Sequence, residues 1–246
     1  LDAAGEPLAL SIILDSATDR GWFQSLPGAL SRIAAHTVTG TSIEMLEVPL
    51  PKLLSLRETY DAAIGQFAAA ASQAGLRSIP SFIELPCDER WNALLPGAAA
   101  AMARHRLGAK LRCGGADANA VPSSLAVATF LKTVTEENVP FKATAGLHHP
   151  VRGHDEDRGF VMHGFLNLLT AAALARGDSE VDELIAVLDD DATESFAFDA
   201  AGLRWKERSI SSEVLAATRR DGFISYGSCS FEQPVADLAE LGIIPT

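Results

Sequence analysis

The sequence predicts an α/β fold, a parallel (β/α) barrel of TIM type, and three observations predict it. Apolar runs of strand length recur along the chain, helical patterns separate most of them, and the length of 246 residues suits one large core. Alternating strands and helices at this spacing imply right-handed βαβ units and therefore a parallel sheet. An open doubly wound sheet is the alternative.

The strand-like runs are 8–14, 42–48, 78–85, 109–113, 141–147 and 223–226. These six are fewer than a complete barrel needs. Among the helical patterns, Tyr60, Ile64, Phe67 and Ala71 share one face, and Gly75 follows as a stop. Trp91, Leu94, Leu95 and Ala98 begin another, which Pro96-Gly97 is expected to break in two. Val127, Phe130, Leu131 and Val134 form a third, begun at Pro122-Ser123 and ended near Asn138. The stretch 153–208 is irregular: two helical patterns, then Phe196, Phe198, Leu203 and Trp205 flanking a hairpin turn. The barrel is thus either incomplete or decorated by this insertion. No linker or low-complexity tract marks a boundary, so 1–246 reads as a single domain.

Composition removes whole classes of function. Hydrophobic residues make up 48% of the chain and charged residues 21%, which excludes a disordered or fibrous chain. A net charge of -12 argues against nucleic acid or an anionic membrane as partner, since both need clustered Lys and Arg. The run 161–175 contains His163 and Asn167 and is too short to span a bilayer. Cys87, Cys113 and Cys229 lie far apart and read as small core residues in a reducing cytoplasm. No signal peptide is visible, and the chain begins with Leu rather than Met. A homo-oligomer is left open.

Strand parity points to a site. Side chains alternate between the faces of a strand. Ala109, Leu111 and Cys113 share one face, leaving Lys110 and Arg112 on the other. Phe141, Ala143 and Ala145 likewise oppose Lys142 and Thr144, while Ile79, Ile83 and Leu85 oppose Phe82 and Glu84. In a barrel the charged face is the lumen, where Lys, Arg and Glu need partners. Glu84 paired with a lysine could simply tie strands together. Ionisable groups converging at strand C-termini more often mark a site. An amine attacks a carbonyl only when unprotonated, and a nearby cation or desolvation favours that form.

The segments Lys110-Leu-Arg-Cys-Gly114 and Lys142-Ala-Thr-Ala-Gly146 stand one βα unit apart. Together they resemble the paired lysine strands of deoxyribose-phosphate aldolases, which are class I, Schiff-base-forming (β/α) barrels. Ile224-Ser-Tyr-Gly-Ser-Cys-Ser230 is similar to the Gly- and Ser-containing phosphate loop of that family. The resemblance implies Lys110 as imine former, Lys142 as its electrostatic partner, and Gly227, Ser228 and Ser230 around a phosphate. It implies no cofactor. The chain departs from the pattern at Arg112, where the aldolases have a small hydroxyl residue. It departs again in the roughly eighty residues between Lys142 and the Ser loop, an insertion that opens with His148-His149-Pro150. The same segments also resemble bacterial barrel proteins of unassigned function, which implies no activity.

The expectation is a lyase acting on a small anionic carbonyl substrate, phosphorylated or carboxylated. Lys110, Lys142 and Glu84 are its catalytic candidates, with Arg112, Thr144, His148, His149, Arg152, Gly227, Ser228 and Ser230 binding substrate. One alternative is a ligand-binding barrel without Schiff-base chemistry. Another is a metal-dependent enzyme using His148, His149 and His154 with Asp155, Glu156 and Asp157, although the spacing matches no established metal motif. His163, Asn167 and Thr170 read as a solvent-facing polar stripe, and 189–191 as a solvated helix end.

Overall fold

A computed structural model describes residues 8–15, 21–51, 59–88, 90–156, 158–177, 179–230 and 232–244; Asp157 lies outside them. Strands and helices alternate, and the chain divides into two compact units, Leu1–Lys110 and Leu111–Thr246.

The first unit runs β1 (Leu8–Ile13), α1 (Trp22–Ala34), β2 (Thr41–Pro49), α2 (Tyr60–Gln73), β3 (Ser81–Glu84) and α3 (Trp91–His105), ending in the first residues of β4 (Gly108–Arg112). The strands lie in the order β1-β2-β3-β4, and every pair is parallel. The expected runs of apolar sequence become these strands because β2, β3 and β4 are covered on both faces, with Leu46, Val48, Ile83 and Ala109 buried on one and Phe82 and Lys110 on the other. Thr59 caps α2 by accepting from the Ala62 N–H at 3.2 Å, and Gly75, at φ +75°, ends it.

One sequence expectation fails here: α3 is continuous through Pro96. Proline removes one ladder bond there, but Trp91 and Leu95 on one side and Ala98, Ala99 and Met102 on the other are all buried. Packing along that stripe holds the helix together across the missing bond.

The second unit continues from Leu111 through a 3-10 turn (Ala118–Ala120), α4 (Ser124–Glu136) and β5 (Phe141–Thr144). There follow β6 (Gly153–Asp155), β7 (Phe160–Met162), α5 (Phe165–Ala175), α6 (Val181–Asp189), β8 (Phe196–Asp199), β9 (Gly202–Trp205) and β10 (Arg208–Ser211), then α7 (Ser212–Asp221), β11 (Phe223–Tyr226) and α8 (Glu232–Glu240). β11 lies parallel to β5, with Ser225 opposite Lys142. Phe141 stacks on Phe223 at 5.0 Å and meets Phe130 edge-on at 5.4 Å, fixing α4 against both strands.

The irregular stretch resolves into a β6/β7 hairpin, two helices and an antiparallel sheet in the order β10-β9-β8, which contains the expected hairpin. Two expectations for this stretch are corrected. His163, Asn167 and Thr170 are buried. Asn167 donates to Val187 O and Asp190 O and accepts from the Arg152 N–H, so the apparent polar stripe is an internal clasp. Asp190 is likewise buried and accepts from Trp205 Nε1 at 2.8 Å, so the acidic run is solvated only in part. Of the cysteines, Cys113 is buried as expected, while Cys87 and Cys229 are exposed. Among the described residues no helix is long and apolar enough to cross a membrane.

Candidate functional site

In the first unit, strand register dictates which side chains meet. Glu84 lies beside Lys110 across β3 and β4, and Pro49 beside Glu84 across β2 and β3. Two residues back from Pro49, Glu47 projects to the same face. Ile13 pairs with Glu47, so Ser11 shares that face too. Four strands thus deliver one polar side chain each to a common point.

The amine of Lys110 bonds to Glu47 Oε2 at 2.6 Å and to Glu84 Oε2 at 2.7 Å. Ser11 Oγ donates to the other oxygen of Glu47 at 2.8 Å. The side chains of Lys110 and Glu47 are 4% and 6% exposed, that of Glu84 14%. Lys110 and Glu84 therefore meet as the strand parity predicts. Glu47 was missed, although an acidic residue inside an apolar strand was the signal that could have found it.

The second unit gathers other candidates at the C-terminal ends of β5 and β11. Lys142 is buried on β5, and Thr144 follows it, half-buried beside Gly227. After β5 the chain turns through Ala145 and Gly146, both at positive φ. Glycine suits Gly146 because of its φ of +76° and because a side chain there would press on the Cys113 carbonyl oxygen at 3.0 Å.

His148 and His149 then diverge into different wiring. His148 Nε2 lies 3.5 Å from Arg158 Nη2, and its Nδ1 lies 3.3 Å from Ser228 Oγ. His148 thus stands between a guanidinium, which only donates, and a hydroxyl, and its ring tautomer sets which nitrogen carries the proton. Burial and the Arg158 charge both hold the His148 pKa below the ordinary histidine value. His149 instead hydrogen-bonds Asp237 of α8 through Nδ1 at 2.7 Å. His154 is exposed, and among the described residues no group of three or more His, Cys, Asp or Glu side chains is arranged to hold a metal.

The residues expected to hold an anion each have a protein partner. Arg112 is exposed and its Nε donates to Gly114 O at 3.0 Å. Arg152 Nε lies 3.8 Å from Asp189. The Gly227 N–H is engaged by Ala143 O, and the Ser230 N–H by Ser228 Oγ. Ser230 Oγ in turn accepts from the Gln233 N–H at the start of α8, a helix-capping role. No protein-family model matches the chain, and neither a curated protein nor a solved structure matches it.

Proposed function

We propose that this protein is a Schiff-base lyase of the class I aldolase type, acting on a small anionic carbonyl compound, with Lys110 as imine former. The observation that carries the reading is the amine of Lys110 between the carboxylates of Glu47 and Glu84, at 2.6 and 2.7 Å. An ammonium has no lone pair, and contact with two carboxylates stabilises it in that form, so one of them must take its proton before the amine can attack. Burying three charges is costly, and backbone ladder bonds already join β2, β3 and β4, so strand pairing gives little reason for the cluster.

The finer fold belongs to the same proposal: the strands form part of a (β/α) barrel. The order β1-β2-β3-β4 supports it, because a doubly wound sheet reverses its strand order at a switch point and this one does not. Lys142 keeps the place of second lysine that the aldolase resemblance implies. Of the proposed substrate-binding residues, Thr144, His148, His149 and Ser228 lie at the strand ends, whereas Ser230 has a capping role. The exposed free thiols of Cys87 and Cys229 support a reducing, cytoplasmic setting.

A second reading, a ligand-binding barrel without turnover, is favoured by the engagement of the Lys110 amine and of the Gly227 N–H. Borohydride reduction in the presence of pyruvate, dihydroxyacetone phosphate and glyceraldehyde 3-phosphate separates the two. The lyase reading predicts a covalent adduct that peptide mass mapping places on Lys110. Lys110→Arg, which keeps the charge, abolishes it. An adduct on Lys142 would move the imine to β5, and none with any carbonyl compound would leave the binding reading.

A further inference from the structure

We infer that the two carboxylates on Lys110 divide the chemistry: Glu84 carries the proton, while Glu47, fixed by Ser11, stays ionised as counter-ion of the iminium. The inference rests on the lyase reading. Both oxygens of Glu47 are engaged, Oε1 by the Ser11 hydroxyl at 2.8 Å and Oε2 by Lys110 at 2.6 Å. Two donors on one buried carboxylate stabilise its charged form and hold its plane in place. Glu84 is the more open of the pair, at 14% side-chain exposure against 6% for Glu47. A group that must give its proton to a substrate oxygen needs that access.

The sequence of transfers balances. Glu84 takes one proton from the ammonium, leaving a neutral amine and a carboxylic acid. The amine lone pair attacks the carbonyl carbon, the C=O π pair moves to oxygen, and a proton shifts from nitrogen to that oxygen. The Glu84 acid then protonates the resulting hydroxyl, which leaves as water as the nitrogen lone pair forms the C=N bond. Glu84 is a carboxylate again, and the positive iminium replaces the positive ammonium beside Glu47. No oxidant, metal or further reactant enters. Ser11 touches only Glu47 in this scheme and is a positioning residue.

The test measures the rate of borohydride-trapped adduct formation with pyruvate and dihydroxyacetone phosphate across pH. Glu84→Gln is expected to slow adduct formation by about 100-fold or more near pH 7. The rate recovers toward wild type by about pH 9.5, where hydroxide takes over proton removal. Glu47→Gln is slow at every pH, because the missing counter-charge is not replaced by base. Ser11→Ala, at an exposed position, reduces the rate by about 3- to 10-fold with the pH profile unchanged in shape. Should either amide variant fail to fold by circular dichroism, Glu84→Asp and Ser11→Ala carry the test. The aspartate then retains the wild-type pH profile at a lower rate. The inference is overturned if Glu47→Gln is the variant rescued by base, or if Ser11→Ala matches wild type within about twofold. A wild-type protein giving no adduct at any pH rejects the lyase reading itself, a distinct result.

Discussion

The two units bury polar side chains in different ways. In the second unit, Asn167 bonds to three backbone groups, and Asp190 gathers the Ala192 N–H, Ser195, Trp205 and Lys206. The three bonds of Asn167 and the Ala192 N–H to Asp190 satisfy backbone groups at helix ends and turns, and the side chains of Ser195, Trp205 and Lys206 complete the shell of Asp190. In the first unit, Lys110 bonds to the side chains of two other strands, at a place where the backbone is already paired. Buried polarity that satisfies loops explains itself as structure. Two carboxylates converging on one buried amine ask for a chemical reason.

The largest expected effect comes from opening the first cluster. Lys110→Ala removes the ammonium that both carboxylates contact and is expected to reduce unfolding free energy by about 3–5 kcal/mol in urea. Lys110→Arg keeps the charge and retains most of that stability. Equal losses in the two variants would show that packing of the lysine stem, not its charge, matters.

Next comes Asp190. Burial alone would raise its pKa, but Lys206, Trp205, the Ala192 N–H and Ser195 together hold it below the usual aspartate value. Asp190→Ala strands the indole N–H of Trp205 and is expected to cost about 2–3 kcal/mol, with an altered Trp205 fluorescence. A silent Asp190→Ala would break the contrast between the units.

A smaller effect follows from His163. Burial, opposed by its bond to Pro122 O, keeps its pKa below the ordinary histidine value. A base with a depressed folded pKa binds its proton more readily when unfolded. Its stability is fully present above about pH 6.5 and is lost as pH falls toward the folded pKa. The slope contributed by one such group is at most about 1.4 kcal/mol per pH unit. His148 titrates in the same direction, so His163→Gln should flatten the acid limb without removing it. An unchanged limb would place the sensitivity elsewhere. The smallest effect is Ser123→Ala, which removes the cap accepting from Ala126 N–H and should cost about 1 kcal/mol with little change in adduct yield.

Much of this was legible in the sequence. All six strand-like runs became strands, and Lys110 met Glu84, because alternation reports a face wherever a strand is straight. Glu47 was less legible: an acidic residue inside an apolar strand marks it but names no partner. Its neighbours Leu46 and Val48 are fully buried on the opposite face, and alternation alone does not say what covers the face of Glu47. The register of β1, β2, β3 and β4 is what brings Ser11, Glu84 and Lys110 to it. The polar stripe of α5 misled for the same reason: helical periodicity locates Asn167 and Thr170 on one side, but not the insertion that covers it. Likewise, proline chemistry describes the bond lost at Pro96 and not the buried stripe that carries α3 through it.

The central claim is that Lys110, Glu47 and Glu84 are kept for chemistry rather than to hold strands together. Its most direct test is the unfolding free energy of the triple replacement Lys110→Met, Glu47→Leu and Glu84→Met, measured by urea denaturation. If the cluster serves chemistry, apolar side chains of similar volume fill the space, and stability stays within about 1 kcal/mol of wild type or rises by up to about 4 kcal/mol. A loss of about 3 kcal/mol or more, with the cooperativity of unfolding reduced, would show that the ions hold β2, β3 and β4 together and would contradict the account.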